Sequence, residues 1–194
     1  MVKIAPSILS ADFANLGAEI IKLEKGGADL IHIDVMDGSY VPNISFGMPI
    51  IKAIRPYTKL PFDVHLMIQE PSKYIEDFVK AGADLITIHY EAETHIDRAL
   101  SYIKSFGVKA GVAINPATPV SLLKHLIPLA DMILIMTVNP GYGGQKYIEY
   151  CTDKVKELKA MISAQGAATL IEVDGGIDIS NIKRLREAGT DIFV

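Results

Sequence analysis

The 194-residue chain carries 19 Lys and Arg against 23 Asp and Glu, a formal net charge of −4, which speaks against a nucleic-acid partner with its demand for a basic surface. At 49% hydrophobic and 22% charged it has the composition of an ordinary globular domain, and its longest apolar run, Met132-Ile133-Leu134-Ile135-Met136, falls far short of the ~18 residues that suggest a membrane span. The single cysteine, Cys151, excludes an internal disulfide and, with no secretory leader pattern at the start, the chain is expected to be cytoplasmic.

In chain order, an apolar run at 3–5 predicts a first strand. Residues 13–25 follow with Phe13, Leu16, Ile20 and Leu23 at helical spacing, and Ser10 stands where a cap would. A second strand is expected at 30–35, at most a short helix within 47–54, and a third strand at 62–66. Pro71 suits a first helical turn, so 71–81 reads as a helix before a fourth strand at 85–89. Helices at 96–106 and 120–126 bracket a fifth strand at 109–114, and a sixth strand follows at 132–137. A long helix at 147–165, a strand at 170–174, a helix at 180–188 and a strand at 192–194 complete the series.

One junction recurs: Gly27-Ala28-Asp29-Leu30-Ile31, Gly82-Ala83-Asp84-Leu85-Ile86 and Gly189-Thr190-Asp191-Ile192, with Leu129-Ala130-Asp131-Met132-Ile133 a weaker relative. Glycine ends a helix in the left-handed conformation, and an apolar run suited to a buried parallel strand follows. Unbroken strand–helix alternation implies a parallel α/β sheet with right-handed crossovers. Eight strands, with no Gly-x-Gly-x-x-Gly after the first, favour a closed (β/α)8 TIM barrel over an open doubly wound sheet. The expectation is one barrel domain over 1–194 that stops in its eighth strand, its final helix missing. Such a bare wall would favour a homo-oligomer.

Alternate strand residues share a face, so His32 and Asp34 point one way, as do Asp63 and His65, while Asp174 ends another strand beside Glu172, which shares its face. Barrels gather such residues at the carboxyl mouth, where two imidazoles and two carboxylates suit a divalent cation. A lone strand histidine is more often hydrogen-bonded structure, but charged side chains are rarely buried without partners. The pattern by itself does not choose among Asp34, Asp63, Glu172 and Asp174 as ligands. His89 is expected behind the ligands, and His95 and His125 in solvent. Met36, Met67 and Met136 fall just beyond this level, as core filling or as an apolar lining of the mouth.

The segment Val138-Asn139-Pro140-Gly141-Tyr142-Gly143-Gly144-Gln145-Lys146 follows the sixth strand. Three glycines in four positions let successive N–H groups converge on an anion, and a helix starting near Tyr147 would add its positive end. Gly175-Gly176-Ile177 is a second candidate anion loop. Such loops are otherwise plain turns.

Together these blocks match a known family. The chain resembles ribulose-phosphate 3-epimerases along essentially its whole length, through Ala5-Pro6-Ser7-Ile8-Leu9-Ser10-Ala11-Asp12-Phe13, His32-Ile33-Asp34-Val35-Met36-Asp37-Gly38, Asp63-Val64-His65-Leu66-Met67, Asn139 to Gln145, and Val173-Asp174-Gly175-Gly176-Ile177. The resemblance implies that His32, Asp34, His65 and Asp174 bind one divalent metal (Zn²⁺ first, with Fe²⁺, Mn²⁺ or Co²⁺ as alternatives) and that Asp34 and Asp174 are the acid/base pair. It implies Ser7 and His65 at the substrate, Met36, Met67 and Met136 around the reacting carbon, and Gly141, Tyr142, Gly143, Gly144, Gly175 and Gly176 toward the phosphate. The implied reaction converts D-ribulose 5-phosphate to D-xylulose 5-phosphate in the pentose phosphate pathway. Alternatives are the same chemistry on allulose 6-phosphate, or a barrel that binds a sugar phosphate without turning it over. Relatives continue past the eighth strand into a Gly-Ser phosphate loop and a last helix, which this sequence lacks.

Overall fold

Eight strands form where the apolar runs fall: β1 (Lys3–Ile4), β2 (Ile31–Met36), β3 (Phe62–Met67), β4 (Leu85–His89), β5 (Lys109–Ile114), β6 (Met132–Met136), β7 (Leu170–Asp174) and β8 (Ile192–Phe193). The computed structural model describes residues 2–194. The strands pair in the order β1-β8-β7-β6-β5-β4-β3-β2, each pair parallel. The ring closes between its two ends: Asp29 N–H donates to the Ile4 carbonyl at 2.9 Å and His32 N–H to the Pro6 carbonyl at 3.1 Å, and Ser7 bridges to His32. This is the expected TIM barrel.

The recurring junction acidic residue has a structural use. Asp29 accepts the N–H of Ile4 (2.8 Å), Asp84 that of Phe62 (2.8 Å), Asp131 that of Ala110 (2.9 Å) and Asp191 that of Ile171 (2.9 Å). In each case the carboxylate, standing just before its own strand, takes a donor at the start of a neighbouring strand. Backbone groups there have no full ladder partner, and an unmet donor near the core is costly.

Among the described residues, six helices surround the strands: α1 (Leu16–Lys25), α2 (Met48–Ile54), α3 (Ile75–Ala81), α4 (Ile96–Ser105), α5 (Cys151–Gln165) and α6 (Ile182–Ala188). Several start later than expected. Residues 13–15 are a 3₁₀ turn, and its cap is Asp12, whose carboxylate accepts the Ala14 N–H at 3.0 Å, not Ser10. Pro71–Lys73 is likewise a 3₁₀ turn ahead of α3, and the expected helix at 120–126 is only the 3₁₀ turn Val120–Leu123. The helix expected from 147 begins at Cys151, because the Ile148 N–H is committed to the Thr137 carbonyl at 2.8 Å.

The outward strand faces (Ile31, Ile33, Val35 on β2; Val64, Leu66 on β3) pack with the helices into one apolar core. Inside the barrel, Ala5, Leu30, Leu85, Met132 and Ile192 form an apolar floor. Above it the interior turns polar, and that change in layer positions the site.

Candidate active site

The register sets the polar layers. Asp34 lies beside His65, and His32 beside Asp63, across the β2–β3 ladder, while Met136 and Leu134 of β6 stand beside Asp174 and Glu172 of β7. Hence His32, Asp34, His65 and Asp174 converge, each offering one donor atom, and those atoms lie within 4.8 Å of one another. His65 Nδ1 is 3.0 Å from Asp34 Oδ1 and 3.9 Å from Asp174 Oδ2. His32 Nε2 is 3.3 Å from Asp34 Oδ1, yet it is a fully buried nitrogen with no hydrogen-bond partner among the described residues. An orphaned imidazole nitrogen amid two carboxylates and a second imidazole is what a divalent cation would satisfy, and the mixed N/O set fits zinc or a borderline transition metal. The residues present fit such a group.

A second cluster, His32, Asp63 and Glu172, also brings its donor atoms within 4.8 Å, but it draws on the other ring nitrogen. His32 Nδ1 lies 2.7 Å from Asp63 Oδ2, so with Asp63 as acceptor the ring turns Nε2 toward the mouth. A carboxylate behind a histidine in this way is the usual support of a ligating imidazole.

The two mouth carboxylates differ in charge preference. Burial raises Asp34, but His32 and His65 override it and hold the carboxyl well below the ordinary carboxylate range. Burial, with the Asp34 charge nearby, pushes Asp174 up to about 6. Ser7 Oγ donates to Asp34 Oδ2 at 2.5 Å, leaving a second side chain committed to that carboxylate.

A cavity of about 730 Å³ opens above this layer. Asp34 and Asp174 line it, with Ser7, Met36, Met67 and Met136, while His32 and His65 are fully buried beneath its floor. Met36 and Met67 pack against Val41, and Met136 against Val138, each almost fully enclosed. Gly141, Tyr142, Gly143, Gly144, Gly175 and Gly176 also line it, Tyr142 standing 63% exposed. Gly176 has φ +69 and a Cβ placed on it would meet the Tyr147 nitrogen at 2.4 Å, so the two glycine loops touch at a point where only glycine fits. The Asn181 side-chain amide donates to the Gly176 carbonyl at 2.8 Å and holds that loop.

Comparison with known proteins decides the family. The Ribulose-phosphate 3 epimerase family model matches residues 3–194. The chain belongs to the ribulose-phosphate 3-epimerase family. It is 55% identical to the ribulose-phosphate 3-epimerase of Bacillus subtilis (strain 168), over 100% of this chain and 90% of that one. The ribulose-phosphate 3-epimerase of Escherichia coli (strain K12) is 48% identical over 98% of this chain and 85% of its own. Relatives of this family are isomerases that act as epimerases. Among solved structures, a mutant tryptophan synthase alpha-subunit from Pyrococcus furiosus superimposes with a TM-score of 0.76 over 100% of this chain and 88% of that one at 14% identity, which shows a shared barrel and nothing of function.

Sequence reasoning toward the ribulose-phosphate 3-epimerase family did not reach several groups around the cavity. Lys146, Ser180 and Arg184 line its glycine-rich side, and Arg184 pairs with Glu149 at 2.7 Å. The expected positive helix end near Tyr147 is absent, since α5 begins at Cys151; Lys146 and Arg184 stand on that side of the cavity, beside Glu149. Behind His65, Tyr40, Glu91 and Asn115 form a polar cluster. The signal available in advance was the acidic residue two positions past His89. His95 and His125 are exposed, away from this layer. Among the described residues, no helix is long and apolar enough to cross a membrane.

Proposed function

We propose that the chain interconverts D-ribulose 5-phosphate and D-xylulose 5-phosphate, inverting C3 beside the C2 ketone, with one divalent cation held by His32, Asp34, His65 and Asp174. The observation that carries this reading is the pair of carboxylates facing one cavity from different strands, Asp34 on β2 and Asp174 on β7. Inversion needs a proton taken from one face and one returned to the other, which a single base cannot readily do.

Asp34, ionised and oriented by Ser7, takes the C3 proton of ribulose 5-phosphate. Asp174 delivers a proton to the opposite face, and the roles exchange in reverse. A cation held by His32, Asp34, His65 and Asp174 would supply Lewis-acid charge stabilisation worth several kcal/mol. Met36, Met67 and Met136 keep water from the reacting carbon without offering it a competing proton. The glycine loops, with Lys146 and Arg184 beside them, take the phosphate through backbone N–H groups and charge. Zinc is the first metal to test, with Fe²⁺, Mn²⁺ and Co²⁺ next, and the pentose phosphate pathway is the metabolic setting this reaction implies.

The test is incubation of the protein with ribulose 5-phosphate in D₂O, with and without chelator, following C3 by NMR. Metal-dependent deuterium uptake with xylulose 5-phosphate formation is the expected result. No exchange under Zn²⁺, Fe²⁺, Mn²⁺ or Co²⁺ overturns it, and faster turnover of allulose 6-phosphate would reassign the substrate.

A further inference from the structure

β4 ends on His89, and the chain then makes the 3₁₀ turn Tyr90–Ala92, which brings Glu91 back beside the ring it has just passed. His89 is fully buried. Its Nε2 faces His65 Nε2 at 2.8 Å, the two rings stacked with centroids 5.0 Å apart, and its Nδ1 faces Glu91 Oε2 at 3.3 Å. Glu91 Oε1 accepts the Asn115 N–H at 2.8 Å and the Thr118 hydroxyl, and Oε2 lies 3.4 Å from the Tyr40 hydroxyl. That hydroxyl in turn accepts from the Asn115 side-chain amide at 2.8 Å, and the Tyr40 ring packs 4.7 Å from the His89 ring.

The directions of these bonds follow one from another. Glu91 is surrounded by donors, so it acts as acceptor at every contact, and the His89 nitrogen facing it must carry the hydrogen. A neutral imidazole has one donor and one acceptor nitrogen, so His89 Nε2 is the bare one. Two imidazole nitrogens at 2.8 Å cannot both be bare, so His65 Nε2 carries a hydrogen and donates. The remaining nitrogen of His65, Nδ1, is the one that faces Asp34 and Asp174.

We infer that His89 and Glu91 are positioning residues: Tyr40, Asn115 and Thr118 fix Glu91 as an acceptor, and the bonds donated from His65 to His89 and from His89 to Glu91 set which nitrogen of His65 is presented to the cation. The inference rests on the reading of His65 as a metal ligand. A ring nitrogen engaged by a cation has no lone pair with which to pass a proton, so the chain orients His65 and does not conduct protons from Asp34. His32 reaches the same end by a shorter route, through Asp63 at 2.7 Å. The two imidazoles are thus held by different acids, Asp63 on β3 and Glu91 in the turn after the neighbouring β4.

The Glu91→Gln variant tests the direction without changing shape. Its amide oxygen must stay with the Asn115 and Thr118 donors, which turns the NH₂ group toward His89 and reverses every bond down to His65. Cobalt affinity, measured by competition with a chromogenic chelator, should weaken about 10- to 100-fold, the usual effect of losing a ligand's outer partner, while Thr118→Val, which removes one donor and leaves the direction intact, should stay within about threefold of wild type. Nitrogen-15 NMR of wild type, independent of any variant, should find the His89 hydrogen on Nδ1. A His89 hydrogen on Nε2 overturns the inference, as does Glu91→Gln binding cobalt as wild type does. Wild type that shows the expected His89 tautomer but binds no Co²⁺ or Zn²⁺ also overturns it, and locates the failure in the metal reading rather than in the chain.

Discussion

Asp34 and Asp174 sit in one layer yet have different surroundings, and the difference predicts separable defects. With cation saturating, Asp174→Asn should keep exchanging the C3 hydrogen of ribulose 5-phosphate with solvent deuterium while xylulose 5-phosphate formation falls about 10²- to 10⁴-fold. Asp34→Asn should show the converse, exchange from xylulose 5-phosphate only. NMR of each epimer in D₂O reads both, and loss of all exchange in both variants would count against the two-base assignment. His89 makes a second residue-level prediction. Burial lowers it to about 4, with Glu91 pulling the other way. Its folded value lies below the ordinary value of 6.5, so between the two the unfolded chain binds the extra proton. This contribution to stability is therefore complete above about pH 6.5 and is lost as pH falls toward 4, by about 2–3 kcal/mol from the size of the shift. Urea unfolding at pH 7, 5.5 and 4 should show the decline, and His89→Gln should flatten it.

At the level of elements, the glycine loops after β6 and β7 are held by contact rather than by length. Thr137 at the end of β6 donates its hydroxyl to the carbonyls of Asp174 (2.8 Å) and Gly175 (2.6 Å), so the two loops leave the sheet as one unit. Gly176→Ala would drive a methyl into the Tyr147 backbone in a left-handed conformation, and should destabilise the fold by about 1–3 kcal/mol and raise KM for the sugar phosphate more than it lowers kcat. An unchanged KM would mean that this loop does not meet the phosphate. The junction aspartates act at the same scale. Asp84→Ala removes the acceptor for the Phe62 N–H and the partner of Arg55 at 3.0 Å, and should cost about 1–3 kcal/mol in denaturant unfolding, as an orphaned donor does.

For the whole molecule, the barrel interior is built in layers, an apolar floor below and ionisable side chains above. Like charges stacked in a buried layer oppose folding, and a divalent cation relieves this in the folded state alone. Metal should therefore raise the thermal midpoint, with a gain of about 2.7 kcal/mol at a hundredfold excess over Kd, and chelation should reverse it. Calorimetry of chelated and cobalt-loaded protein measures this, and an unchanged midpoint would argue against a cation shared by His32, Asp34, His65 and Asp174.

The eight strands, their parallel order and the residues of the mouth were legible in the sequence, because strand alternation has a fixed period of two and His-x-Asp and Asp-x-His fall on consecutive strand ends. Helix starts were less so: Cys151 rather than Tyr147 opens α5 because a long-range bond from Ile148 to Thr137 takes the turn first. The sequence also left open which carboxylates belong together, since Asp63 and Asp34 have equal claims by spacing. Register decides it, bringing Asp34 beside His65 and Asp63 beside His32, one layer apart, so that one acid faces the cavity and the other supports a ring from behind. Lys146, Arg184 and the chain from Glu91 to His65 depend on how loops and helices from distant parts of the sequence pack over the mouth. Local periodicity determines which face a side chain takes, whereas only the closed tertiary structure determines what it meets there.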